Sequence, residues 1–258
     1  MDSEKLRTIF DNYIRKFDVI NSAEHDENYK WRLAAQFRDW MNPDNLDFLV
    51  GMKQVARISY NLFDNRTTRP LSGLITCAKT DVDAVRSLFR ELFANDGGDL
   101  KARQDKIDIF LGHANTLIEK AYAGRSYSKR YWNDQRAAMS YLFFRDPDSH
   151  YLYKWREASK FADCAGFEDS WKWGRSGFKM EVYYRMCDEL VEAIRSYPPL
   201  LETTKRRYQE APWNMTRLHE DTNYHILAFD LIWGTGITDN PHYNFGEKLE
   251  SSTTLPTQ

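Results

Sequence analysis

Apolar residues recur at spacings of three and four along most of the chain, the period of amphipathic α-helices. Leu6, Ile9, Phe10, Tyr13, Ile14 and Phe17 make one such stripe. Trp31, Ala34, Phe37 and Trp40 make a second. It should end at Asn42-Pro43, because the residue before proline is pushed out of the α region. Asp44 is the expected cap of a third helix that carries Leu46, Leu49, Met52, Ala56 and Ser59. Thr80 with Asp83 reads as a capping pair ahead of Val82, Val85, Leu88, Phe89 and Leu92, and Gly97-Gly98 breaks that pattern. The cleanest period runs through Ile107, Phe110, Leu111, Ala114, Leu117, Ile118 and Ala121, closed by Gly124. Tyr183, Met186, Leu190 and Ile194 mark a later helix, and another follows Pro198-Pro199.

Between Tyr127 and Phe178 the texture differs. Arg145-Asp146-Pro147-Asp148-Ser149 reads as a turn, Tyr151-Leu152-Tyr153 as a small strand or an extended link, and Gly166, Gly174 and Gly177 as loops. The run from Ile226 to Trp233 is apolar except for Asp230, which predicts a buried helix or core strand. After Gly234 the chain turns to Thr, Asn, Gly, Ser and Pro, the composition of a tail or linker. The pattern therefore predicts a mostly α, multi-helix globular chain with at most a short β element near residues 149–153. Three parts are expected: an N-terminal helical subdomain at 1–78, a basic and aromatic helical recognition module at 79–235, and a flexible tail or linker at 236–258.

Hydrophobic residues at 42% and aromatics at 15% suffice for a packed interior. A net charge of −2 excludes a uniformly basic nucleic-acid binder, so any such surface must be a local patch. Cys77, Cys164 and Cys187 are odd in number and widely spaced, the usage of a reducing compartment. The first residues lack the apolar core of a signal peptide, and no apolar run reaches membrane-spanning length. A cytoplasmic location without membrane contact is the expectation.

The catalytic patterns are weak. Gly174-Arg-Ser-Gly177-Phe-Lys179 has the wrong spacing for a phosphate-cradling loop. Asp148 with Glu157 and Lys160 resembles a metal-dependent nuclease triplet, but the lysine falls one residue too far and Glu157 has a helical context. Arg145-x4-His150 fits the arginine–histidine spacing of HEPN-type ribonucleases, although Pro147 between them argues for a plain turn. His219 and His225 flank two acids, but six residues apart on a helix they would face different sides. No catalytic residue, metal ligand or cofactor is expected. Asp230, ringed by large apolar residues, is expected to be a structural buried acid paired with Lys154, Arg136 or a helix N-terminus.

The densest signal is a stretch of interleaved basic and aromatic residues. From Lys120 to Lys160 nine cations face four acids, with tyrosines and tryptophans between them. Cations neutralise phosphates and aromatic faces stack on bases. Arg125, Lys129, Arg130, Arg136, Tyr151, Tyr153, Lys154, Trp155 and Lys160 are therefore the expected nucleic-acid contacts, on one contiguous face. The bland alternative is that the aromatics are core and the cations a solvated rim. Lys205-Arg206-Arg207 is a smaller basic cluster that reads as a helix surface.

Two blocks carry a resemblance. Tyr141-Leu-Phe-Phe-Arg-Asp-Pro147 with Tyr151-Leu-Tyr-Lys154 and Phe161 is similar to a pattern upstream of the AAA+ motor in McrB-like proteins of modification-dependent restriction systems. Tyr224-His-Ile-Leu-Ala-Phe-Asp230-Leu-Ile-Trp233 resembles a second block of that region. The resemblance covers roughly residues 80 to 235 and leaves residues 1 to about 78 unmatched. It implies a non-catalytic DNA-recognition module of a restriction or antiviral defence system, sensing a modified base, with an AAA+ motor domain or defence-complex subunit as partner. No motor lies within these residues, so a fragment and a stand-alone relative both fit. A protein-interaction adaptor in a defence complex and a HEPN-like ribonuclease are the alternative readings.

Overall fold

The computed structural model describes residues 1–123, 125–168, 178–209 and 217–247. The expected elements at Gly124, Gly174 and Gly177 lie outside them. Among the described residues there are eleven α-helices and no strand. In chain order they are α1 (Ser3–Ile20), α2 (Tyr29–Trp40), α3 (Phe48–Ile58), α4 (Pro70–Thr80), α5 (Val82–Leu92), α6 (Leu100–Ala121), α7 (Gln135–Arg145), α8 (Trp155–Ala165), α9 (Met180–Arg195), α10 (Pro198–Gln209) and α11 (His225–Gly236). A 3-10 turn at Ser128–Tyr131 precedes α7.

Aspartates start many of these helices by accepting otherwise unpaired backbone N–H groups. Asp2, Asp81, Asp99 and Asp134 cap α1, α5, α6 and α7 from the adjoining position. Asp221 reaches further, to the N–H groups of Ile226 and Leu227 in α11. Asp64 likewise accepts from Leu71 and Ser72 at the start of α4. Two expected caps move. Asp44 caps nothing; it pairs with Arg90 at 2.8 Å, Leu46 is 94% exposed and α3 begins at Phe48. Thr80 closes α4, and the cap of α5 is its neighbour Asp81.

The buried apolar side chains form one continuous core that takes in every α-helix. The boundary expected at residue 78 falls inside α4, and α2 packs on α7 while α1 packs on α8, α10 and α11. α8 and α11 pack closely because Gly236 has no side chain; a Cβ there would lie 2.6 Å from Glu157 Cα. The Tyr151–Tyr153 segment lies in no helix and joins no ladder, so it is a link between α7 and α8.

Residues 237–247 lie within the stretch expected to be a flexible tail or linker. They fold back so that Tyr243 and Phe245 are buried, and Asn12 donates to the carbonyls of Phe245 and Glu247. The Phe245 ring edge occupies the space where a Gly234 side chain would stand. Two aromatic rings suffice to turn a polar-looking segment into core, since each removes a large apolar area from water.

Candidate nucleic-acid interface

The basic and aromatic segment is divided by burial. Tyr151 and Tyr153 are each only 4% exposed. Tyr151 donates to Asp188 and contacts the Tyr184 and His225 rings, while Tyr153 packs on Phe178 and Tyr183. Neither offers a face to a base, which corrects the expectation. Arg136 is turned inward and donates to the carbonyls of Leu62 and Phe63, tying the loop before α4 to α7. It is a structural donor. Lys154 lies over the Trp233 ring at 4.2 Å, and burial, partly offset by Glu157, pushes its ammonium down to about 8. Its side chain is half-buried. Trp155 remains 49% exposed, and Lys160, midway along α8, donates to the hydroxyl of Thr238 just beyond α11.

Arg125, Lys129 and Arg130 are exposed as expected, and the fold brings them a second basic segment. The Arg69 N–H donates to the Arg130 carbonyl, and Arg130 Nη2 donates to the Arg66 carbonyl at 2.9 Å. Arg66 and Arg69 thereby join Arg125, Lys129 and Arg130 in one exposed patch. Neither 65–69 nor 125–133 contains an acidic residue, and none of the five cations forms an ion pair among the described residues. Five unneutralised cations from two chain segments are an electrostatic footprint for a polyanion.

Aromatic rings floor the patch. Tyr122 and Tyr131 stack at 4.4 Å, and Tyr127 meets both edge-on while remaining 49% exposed. The Arg125 guanidinium lies 6.0 Å from the Tyr122 and Tyr127 rings, and Lys129 Nζ lies 5.5 Å from Trp132. These contacts hold the cations in place while leaving their charged ends in water. Gly73 sets the approach of α4 to the turn: a Cβ there would stand 2.8 Å from Tyr131 Cβ and 2.9 Å from its carbonyl oxygen. Arg66 and Arg69 were not among the sequence candidates. No local pattern marks them, since they lie some sixty residues upstream of the turn they meet.

The long-range partners of Asp230 also differ from expectation. The carboxylate is 2% exposed and bonds to Lys30 Nζ and, at 3.0 Å, to the Tyr13 hydroxyl. Lys30 also holds Glu27, whose other oxygen accepts from Tyr243. Tyr13 in turn accepts from Arg207, whose guanidinium lies 3.6 Å from the centre of the Trp31 ring. Burial drags Lys30 down, but Asp230 and Glu27 together outweigh it and leave its ammonium above the usual range. The network joins α1, α2, α10, α11 and the returning 243–247 segment.

His219 and His225 do not share a helix. His219 sits in the loop before α11 with its backbone N–H on the Trp31 carbonyl, and His225 opens α11 with Nδ1 on the His150 carbonyl. Arg145 and His150 do line one cavity. Among the described residues no cluster of three His, Cys, Asp or Glu could hold a metal ion, and no helix is long and apolar enough to cross a membrane. All three cysteines are free.

The half-buried position of Lys154 has a pH signature. Its folded-state proton is lost near pH 8, whereas an unfolded lysine holds its proton to about 10.4. Between those values the unfolded state binds more protons, so this group's contribution to stability rises with pH. The free energy of unfolding of the wild type relative to Lys154→Met is therefore expected to increase from pH 7.5 to pH 10. Burial of the cysteines acts in the opposite direction above pH 9 but is common to both proteins and cancels. Urea denaturation of the pair at three pH values checks this; a pH-independent difference would place Lys154 in solvent.

No protein-family model, curated protein or solved structure matches this chain.

Proposed function

We propose that the chain is a non-catalytic nucleic-acid-binding module, with DNA the favoured ligand. The observation that carries this is the patch of Arg66, Arg69, Arg125, Lys129 and Arg130, which has no acidic partner among the described residues and carries the half-exposed Tyr127. Phosphates would be met by the cations, and an unstacked base by Tyr127. The finer reading is a McrB-like restriction or defence module that senses a modified base and serves an AAA+ motor or another defence-complex subunit. Its support is the resemblance of residues 80–235. Most residues of that resemblance are core: Tyr141 to Phe144, Tyr151 to Tyr153, Phe161 and Ile226 to Ile232 are all buried. They speak to a shared interior more than to a shared ligand.

Fluorescence anisotropy with plain, methylated and hydroxymethylated duplexes at 50 and 200 mM salt tests the reading. Binding that is strong at low salt and falls steeply at high salt supports it, and a preference among the duplexes supports the finer form. No detectable binding to any duplex at 50 mM salt would sink it. The ribonuclease reading draws on Arg145 and His150 facing one cavity. RNA cleavage in EDTA, lost in both Arg145→Ala and His150→Ala, would replace the binding reading with that one.

A further inference from the structure

A cavity of about 330 Å³ opens between the end of α2, the 93–98 turn, the first turns of α6 and the 142–150 segment. Its charged lining falls into two groups. Arg103 and Lys106 are already satisfied: both hold Asp96, and Arg103 also donates to the Ser149 carbonyl and the Tyr184 hydroxyl. Hydrogen bonds from these two cations outweigh burial and keep the Asp96 carboxyl well below its usual range.

Arg38 and Arg145 are different. Each donates to the backbone carbonyl of the other, Arg38 Nε at 3.3 Å and Arg145 Nη1 at 3.0 Å, which fixes two guanidinium groups side by side. Their nearest acid is Asp146, 3.9 Å from Arg38 Nη2. Two like charges are held together with the carboxylates of Asp146, Asp39 and Asp44 in their field, and Arg145 forms no ion pair among the described residues. The third member of the lining is His150, 8% exposed; burial and then the nearby Arg103 push its imidazole down to about 3, and its Nδ1, closed off from solvent, has no hydrogen-bond partner among the described residues. A buried ring nitrogen without a partner costs stability unless something fills the site. The Gly97-Gly98 turn, with φ of +63° and +81°, carries the chain past the mouth of the cavity.

We propose that this cavity binds a phosphate-class anion, gripped by the guanidinium groups of Arg38 and Arg145, with the His150 ring in the cavity wall. Guanidinium forks match tetrahedral oxyanions through paired, charge-assisted hydrogen bonds. The volume sits at the lower end of ligand pockets, roughly 300–1,000 Å³, which suits a phosphate group with at most a small substituent. The site is separate from the DNA patch and shares no cation with it. It lies at the C-terminal end of α7 and the patch at its N-terminal end, about 16 Å apart along an eleven-residue helix.

The test titrates the whole chain with inorganic phosphate, and in parallel with a nucleoside 5′-monophosphate, at constant ionic strength set by chloride. A saturable rise in melting temperature is expected, about 3–5 °C at ten times Kd, together with a shift of the His150 ring resonances in 15N NMR. Arg38→Gln and Arg145→Gln should each weaken the response at least tenfold, while Lys129→Ala leaves it unchanged even where DNA binding falls. A response to free phosphate identifies the bare anion as ligand. A response only to the monophosphate, still moving His150, identifies the phosphate of a small molecule. The proposal is overturned if both ligands act no more than chloride, if His150 does not move, or if both arginine variants respond like wild type. The NMR readout needs no variant, so a misfolded arginine mutant cannot hide the answer.

Discussion

Replacing Lys30 with methionine is expected to lower the unfolding free energy by about 3–5 kcal/mol, the usual loss when one side of a buried ion pair is removed. Lys30 is 1% exposed and is the cation between two buried carboxylates, Glu27 and Asp230. Methionine fills similar space but leaves those two acids facing each other without a counter-ion. Asp230→Asn should cost less, because Lys30 keeps Glu27 and the pair remains neutral, while the Tyr13 hydroxyl keeps an acceptor. For a domain of this size each kcal/mol moves the melting temperature about 2–4 °C, so Lys30→Met should melt some 6–20 °C below wild type. Adding Asp230→Leu to it removes one stranded charge and should recover part of the loss. Thermal melts of the three variants give the order directly. If Lys30→Met melts with the wild type while Asp230→Asn drops, the ammonium is not the keystone of the network.

How much of this was legible depended on whether a helix kept a polar face. α1, α6 and α9 each bury one stripe and expose the rest, so their periods stand out in the sequence. α7 does not: Ala137 to Phe144 are all buried, and a helix that is apolar all round has no period to read. α4 was hidden for another reason, since its cap is Asp64, six residues before Pro70 and on a separate loop. The burial of Asp230 followed from its neighbours, whereas its partner did not. Lys154 and Arg136 are nearer to Asp230 in the chain, but one lies over Trp233 and the other serves the 62–63 carbonyls. A lysine beside Tyr29 and Trp31 with Glu27 one turn before was the available hint for Lys30. The patch was half legible. Arg125, Lys129 and Arg130 stood within one run, but Arg66 and Arg69 reach them only through two backbone carbonyls.

That patch sets the second large expectation. If its five cations each neutralise a phosphate, log K should fall with log salt at a slope of about −4.5, close to 0.9 per contact. Between 50 and 200 mM salt the affinity would then drop about 500-fold. The triple variant Arg66→Ala, Arg125→Ala and Lys129→Ala removes three charges whose side chains end in solvent. Arg69 and Arg130 are left in place because Arg130 holds the Arg66 carbonyl, so truncating it would confound charge with loop geometry. The slope should shrink to about −1.8, and the same salt step should cost only about twelvefold. At 50 mM salt the variant should bind far more weakly than wild type and melt within a degree or two of it, since exposed charges contribute little to stability. Lys154→Met belongs beside it as the internal control, because a lysine over Trp233 should leave the slope untouched. A triple variant that binds with the wild-type slope, or a Lys154→Met protein that loses a full unit, would move the interface from the 128–131 turn to the start of α8.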